Sequence, residues 1–309
     1  MSKLLVVFGA TGQQGGSVIE HVLDDPELCS QYKIRGVTRD TTSATAQALK
    51  EKGVEVVQAD LDDEPSIAPV LQDAHTIFAM TTPSYSPTWK GSEWAQGKAI
   101  ADAAVVQGVQ YIIFSTLPHV KEISGGKYTR VWGFDAKAAV EEYIRKLPVR
   151  SAFFSPGSFM QNWTGMVKPQ QDASGDYPVE RHISPQTQLP LIDVAGDTGK
   201  FVGAILANPD KYEGQVFCAA TKLYTMEQIC QIMAKATGKN VYYRQISTEE
   251  YLGRLPPWGI MLVETMSYQQ DFGYYGPQTP ELVEWAVENA RGKLATFEEY
   301  MNKHSRMLD

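Results

Sequence analysis

An apolar run, Leu4 to Phe8, passes directly into Gly9-Ala10-Thr11-Gly12-Gln13-Gln14-Gly15. Glycines at positions 9, 12 and 15 let the backbone turn sharply at a strand end and approach closely whatever lies in front of it, because no Cβ intervenes. The next residues, Gln14 to Leu23, have the apolar spacing of a helix, so the loop sits at a helix N-terminus. Unpaired N–H groups and the positive end of the helix dipole favour a phosphate there. A glycine pattern alone is a weak signal and also fits a plain tight turn. Placed between a strand and a helix, it reads as a phosphate loop.

The rest of the first half keeps the same rhythm. Strands are expected at Lys33 to Thr38, Val54 to Gln58, Thr76 to Met80, Gln110 to Ser115 and Val149 to Ser155. Helical stretches separate them at Ser43 to Lys52, Ser66 to Leu71, Ser92 to Gln107 and Phe134 to Lys146. Alternation of this kind gives parallel strands joined by right-handed crossovers, so the predicted fold is α/β, a Rossmann-type doubly wound parallel sheet. After Pro156-Gly157 the regularity falls, although Val194 to Ala207 and Met226 to Thr237 read as helices and Gln215 to Ala220 as a strand. We divide the chain into a nucleotide-binding domain over 1–155 and a smaller α/β C-terminal domain over 156–309, with strands of the latter free to return to the main sheet.

At 309 residues and 43% hydrophobic content the chain can bury a full core. Its net charge of -8 gives no electrostatic footprint for direct nucleic-acid binding. No apolar run is long enough for a membrane span, and the opening residues lack a secretory pattern, so the expected compartment is the cytoplasm, with the nucleus as a second one. Cys29, Cys218 and Cys230 are widely spaced and unpaired in pattern, and no histidines fall at metal-binding spacing. Neither a disulfide framework nor a metal site is expected.

A dinucleotide site ordinarily places an acidic residue at the end of the second strand to hold the ribose of NAD. Here that place reads Thr38-Arg39-Asp40. The planar fork of Arg39 suits the 2′-phosphate of NADP, and points to NADP or NADPH, with NAD second. If Asp40 faced the ribose instead, the preference would weaken or reverse. Asp60 and Leu61 follow the third strand; they either border the adenine or, for Asp60, cap the next helix. Thr81, Thr82 and Pro83 follow the fourth strand at the sheet's carboxyl edge, where ligands collect.

Together these residues resemble the NmrA-like family, an atypical branch of the short-chain dehydrogenase superfamily, and most of all its animal NADPH-sensor members. The resemblance is carried by Val7 to Val18, Val37-Thr38-Arg39, Val56 to Asp60, Gln96-Gly97-Lys98, and Phe134 to Lys137 with Val140 to Tyr143. It implies that Gly9, Thr11, Gly12, Gln13, Gln14 and Gly15 cradle a pyrophosphate and that Thr81 to Pro83 line the cofactor. It also implies that Lys137 lies near the nicotinamide ribose and that Phe159, Met160, Gln161 and Asn162 lie beside the nicotinamide.

Short-chain dehydrogenases use a Tyr-x-x-x-Lys pair, whose phenol exchanges a proton while hydride moves. Four residues before Lys137 stands Gly133, which carries no acid. Tyr128, Ser115 and Thr116 are the nearby hydroxyls that would have to substitute. No catalytic residue is therefore assigned, and the expected function is a redox-sensing regulator acting on a protein partner, with a homodimer left open. The alternatives are an NADPH-dependent reductase of quinones or carbonyls, and an interaction module that does not respond to cofactor.

Overall fold

The computed structural model describes residues 2–82 and 92–309. Its strands are β1 (Lys3–Phe8), β2 (Tyr32–Thr38), β3 (Glu55–Gln58), β4 (Thr76–Ala79), β5 (Tyr111–Ser115), β6 (Arg150–Pro156), β7 (Ser158–Phe159), β8 (Tyr177–Arg181), β9 (Gln188–Ile192), β10 (Val216–Ala219), β11 (Lys222–Thr225) and β12 (Val241–Gln245). Seven of them form one parallel sheet in the order β3-β2-β1-β4-β5-β6-β10. The reversal beside β1 is the switch point of a doubly wound sheet, so a crevice opens at the carboxyl ends of β1 and β4.

The helices of the first half are α1 (Gln13–Asp24), α2 (Pro26–Gln31), α3 (Ala44–Glu51), α4 (Ile67–Val70), α5 (Ser92–Val106), α6 (Val120–Ile123) and α7 (Trp132–Ile144). Those that follow are α8 (Met160–Thr164), α9 (Val194–Ala207), α10 (Met226–Thr237), α11 (Thr248–Gly253), α12 (Ile260–Phe272), α13 (Thr279–Glu288) and α14 (Phe297–Lys303).

The near-continuous apolar runs of the central strands follow from burial on both faces. Along β1, Leu5 and Val7 join one core with Phe78, Ile113 and Phe154, covered by α1 and α9. Val6 and Phe8 join the opposite core with Ile77, Ile112 and Phe114, covered by α5 and α7. The α9 segment lies beyond Pro156 in sequence yet packs on α1, with the Gly199 N–H donating to Ser17 Oγ at 3.0 Å. The chain after Pro156 also returns β10 to the main sheet, pairing Phe217 with Phe154.

What remains of the second half forms a smaller α/β layer. In it β9 lies between β11 and β7, and β8 pairs in parallel with β12. Its core gathers Met160, Trp163, Leu191, Tyr224, Ile229, Met233, Phe297 and Met301. Among the described residues no helix is long and apolar enough to cross a membrane.

One buried bond ties the two halves of the α1 and α9 face together. The Tyr32 hydroxyl donates to the Leu206 carbonyl at 3.1 Å, in the last turn of α9, where a helix cannot pair its own carbonyls. Tyr32→Phe is expected to cost about 1–2 kcal/mol, read as a lower urea midpoint at unchanged slope.

Candidate functional site at the carboxyl edge of the sheet

The chain leaves β1 through Gly9 at φ +64°, a left-handed conformation that favours glycine. The Gly12 N–H donates to the Gly9 carbonyl at 2.9 Å and closes the turn. Three positions later the helix presses on this same turn: a Cβ on Gly15 would run into the carbonyl oxygens of Gly9 and Phe8. Gly12 stands at the N-cap of α1 and has no side chain to cap it. The amides of Gln13, Gln14 and Gly15 are thus first-turn donors that an α-helix cannot pair within itself, and they face the crevice beyond β1.

Neighbouring strands brace this loop. Ala10 N–H donates to the Val37 carbonyl at 3.1 Å, and the Thr11 and Thr38 hydroxyls lie 3.1 Å apart. Gln14 accepts from the Ser115 hydroxyl at 2.8 Å, which links the loop to the end of β5. At the end of β2, Arg39 is exposed, and its own carbonyl accepts from the Gln58 amide at 3.0 Å. The Asp40 carboxylate turns away into a tight local turn, accepting from the Thr42 N–H at 2.8 Å and the Thr42 hydroxyl at 2.6 Å. Those bonds hold its pKa below the usual carboxylate range, the Thr42 hydroxyl contributing most. Among the described residues the Arg39 guanidinium has no hydrogen-bond or ion-pair partner, whereas one carboxylate oxygen of Asp40 is held by Thr42.

Asp60 accepts from the Asp62 N–H at 3.1 Å, and its own N–H is held by the Ser66 hydroxyl at 3.0 Å. Its carboxylate organises the turn before α4, while Leu61 packs half-buried against the core. Thr82 N–H donates to Gln96 at 2.9 Å. Pro83 lies outside the described residues.

At the other end of the crevice, Lys137 projects from α7 and is nearly buried. Its Nζ lies 2.7 Å from Glu93 Oε2 and 2.5 Å from Thr81 Oγ1, and the Thr81 hydroxyl in turn donates to Glu93 Oε2 at 2.7 Å. Gly133 occupies the first turn of α7. The hydroxyls that might replace a tyrosine are engaged elsewhere: Tyr128 donates to Asp271 at 2.6 Å, Ser115 to Gln14, and Thr116 to backbone carbonyls, including that of Lys137. Burial and the neighbouring Asp271 carboxylate both push the Tyr128 phenol to a higher pKa, which makes it a poorer acid still.

A model of the NmrA-like family matches residues 1–301. The chain belongs to the NmrA-like family. It is 28% identical, over the whole length of both chains, to an NmrA-like family domain-containing protein of Dictyostelium discoideum. The NmrA-like family domain-containing oxidoreductase ptmS of Penicillium ochrochloron is 29% identical, with 83% of this chain and 77% of that one covered. Among solved structures, NmrA, a negative transcriptional regulator, in complex with NADP, superposes with a TM-score of 0.80 at 23% identity, covering 99% of this chain and 96% of that one. This last similarity bears on the fold.

In this NmrA-like chain, the residues after β6 are drawn into local structure more than the sequence suggests. Phe159 pairs through its backbone with Ile192 in β9 and packs against the first core. Met160 is fully buried beside Trp163 in the C-terminal layer. Gln161 donates to Asp193 at 2.6 Å and accepts from the Val194 N–H at 3.2 Å, which fixes the start of α9. Asn162 is half-buried, and its carbonyl accepts from Gly165 and Val167. At the end of β6, the buried Ser155 hydroxyl has no hydrogen-bond partner among the described residues. An open helix start, a glycine turn, an exposed arginine and a nearly buried lysine fit the charge of a dinucleotide.

Sequence spacing gave no hint of Glu93, and Gln96 entered only as part of the family resemblance, with no role assigned. Gln96 donates to Asp62 at 2.7 Å while holding Thr82, and so joins the turns after β3 and β4. Among the described residues one grouping has the donor atoms for a metal: His119, Glu122 and Glu142 each bring a donor atom within 4.8 Å of the others, with both acids exposed.

Proposed function

We propose that this NmrA-like protein binds NADP(H) and acts as a redox sensor that regulates a protein partner, with little or no dehydrogenase activity. The observation that carries the reading is a phosphate loop together with a lysine that, among the described residues, makes no hydrogen bond to a phenol. Gly133 stands where the acid would be, and the Tyr128 hydroxyl is committed to Asp271. The NADP complex of the regulator NmrA supports the cofactor and the kind of role. The negative net charge disfavours a nucleic-acid partner, and the reading places the protein in the cytoplasm or nucleus.

In this reading the amides at the start of α1, with Gly9, Thr11, Gly12, Gln13, Gln14 and Gly15, grip the pyrophosphate. Arg39 pairs with the 2′-phosphate, and Asp60 and Leu61 border the adenine. Thr81 and Thr82 line the cofactor, Lys137 lies near the nicotinamide ribose, and the segment Phe159 to Asn162 lies beside the nicotinamide. The reduced nucleotide would supply a hydride. Removing a general acid costs such chemistry about 10²-fold to 10⁴-fold.

Sensing requires that oxidised and reduced cofactor favour two conformations unequally. A route for such a difference leads from Lys137 along α7 to the segment before it. Thr129 and Arg130 donate backbone N–H groups to Glu264 at 2.9 and 2.8 Å, and Lys127 and Tyr128 both reach Asp271. Both carboxylates belong to α12, so α7 is anchored to the C-terminal layer, which we propose carries the partner surface.

Two measurements test the proposal together. NADPH oxidation with a panel of quinones and carbonyls is expected to stay below about 1 s⁻¹, under the ordinary enzyme range. Amide exchange at residues 127–131 is expected to differ between the NADP⁺ and NADPH complexes. Robust turnover would favour the reductase reading, which the naming of ptmS as an oxidoreductase supports. Identical exchange in both complexes would remove the sensing role.

A further inference from the structure

Glu93 opens α5 and is 1% exposed, a place a carboxylate takes only when it is paired. Its Oε2 is the hub of a closed ring made with the Lys137 ammonium and the Thr81 hydroxyl. Three elements meet there: the end of β4, the first turn of α5 and the middle of α7. The first turn of α5 also presents the positive end of its dipole to the carboxylate.

The other charged groups on the packed elements are engaged among themselves. On α5, Lys98 pairs with Asp102, which also accepts from Tyr143 of α7 at 2.5 Å. Asp135 of α7 lies 3.2 Å from His119 and accepts from the Lys121 N–H of α6. Glu122 of α6 and Glu142 of α7 group with His119, and Glu141 of α7 pairs with Arg145. Among the described residues, Glu93 is the carboxylate in ion-pair contact with Lys137.

We propose that Glu93 is the positioning residue for Lys137: its carboxylate fixes the ammonium at the end of β4 and thereby sets the affinity of the nicotinamide-ribose end of the site. The proposal rests on the NADP(H)-binding reading above. An ammonium has three donors. Two are committed to Glu93 and the Thr81 hydroxyl at short range, which orients the group, and the third makes a long 3.5 Å contact to the Thr81 carbonyl that a ribose hydroxyl can replace. Without the carboxylate, the ammonium loses the partner that orients it, and the charge-assisted bond to the ribose is weakened.

The test is NADP⁺ affinity measured near neutral pH on the full chain, for the native protein, Glu93→Gln, Glu93→Asp, Lys137→Met and the Glu93→Gln/Lys137→Met double variant, with folding checked by circular dichroism. Glu93→Gln is expected to bind about tenfold more weakly. Glu93→Asp, which keeps the charge, should restore part of the affinity. The double variant should bind no more weakly than Lys137→Met alone. Native affinity in Glu93→Gln would overturn the proposal. So would full additivity in the double variant, or Glu93→Asp binding no better than Glu93→Gln. Native protein that binds no NADP⁺ at all would instead reject the cofactor reading, an outcome separate from any difference among variants.

Discussion

Gly12→Asp is expected to abolish dinucleotide binding while leaving the protein folded. Gly12 has φ −94° and ψ 178°, extended backbone that an aspartate adopts without strain. A Cβ there would stand 3.2 Å from the Gly9 carbonyl, a contact relieved by a shift of a few tenths of an ångström. The new carboxylate would lie at the N-cap of α1 and accept from the very amides that otherwise meet phosphate, which stabilises the helix by a few tenths of a kcal/mol relative to glycine. The same charge excludes the pyrophosphate. Loss of two charge-assisted hydrogen bonds is worth about 4 kcal/mol, or roughly a thousandfold in affinity. Titration and urea unfolding of one preparation check both halves of the statement. Retained NADPH affinity within about tenfold would remove the loop from the account. Gly15→Ala should behave differently, because its Cβ collides with two fixed carbonyls and both fold and binding should suffer.

Arg39→Ala is expected to weaken NADP⁺ by about 30-fold to 100-fold, the worth of 2–3 kcal/mol of charge-assisted pairing, and NAD⁺ by no more than about threefold. The asymmetry arises from the end of β2. The Arg39 guanidinium is exposed, whereas one oxygen of the Asp40 carboxylate is already held by the Thr42 N–H and hydroxyl. Equal loss for the two nucleotides in parallel titrations would show that Arg39 does not face the 2′-phosphate.

Much of the nucleotide-binding half could be read from the chain because its signals are local. The run Leu4 to Phe8, the glycines after it and the amphipathic helix that follows are contiguous, and the structure begins α1 at Gln13 within one residue of the expected start. The second half resisted such reading because its pairing is distant. Strands β8 and β12 lie side by side with α9 and α10 between them in sequence. Strand β9 carries Pro190, which argues against a strand until its neighbours β7 and β11 are in place. The return of β10 to the main sheet likewise depends on α9 reaching across to α1.

The candidate site shows the same division. Lys137 entered through a family resemblance, but its carboxylate did not: Glu93 reads in sequence as an ordinary acidic residue in the first turn of α5. Only the fold carries that turn beneath Thr81 and Lys137. Gln161 illustrates the reverse, since a residue expected beside the nicotinamide uses both ends of its amide to fix the start of α9. Local hydrogen-bonding competition of that kind leaves no trace in spacing.

The central claim is that the start of α1 and the end of β2 together select a phosphorylated dinucleotide. Calorimetric titration of the folded chain with NADPH, NADP⁺ and NAD⁺ tests it most directly. One saturable site per chain, with both NADP forms bound more tightly than NAD⁺, is the predicted result. Absence of heat with every nucleotide at millimolar concentration would contradict it.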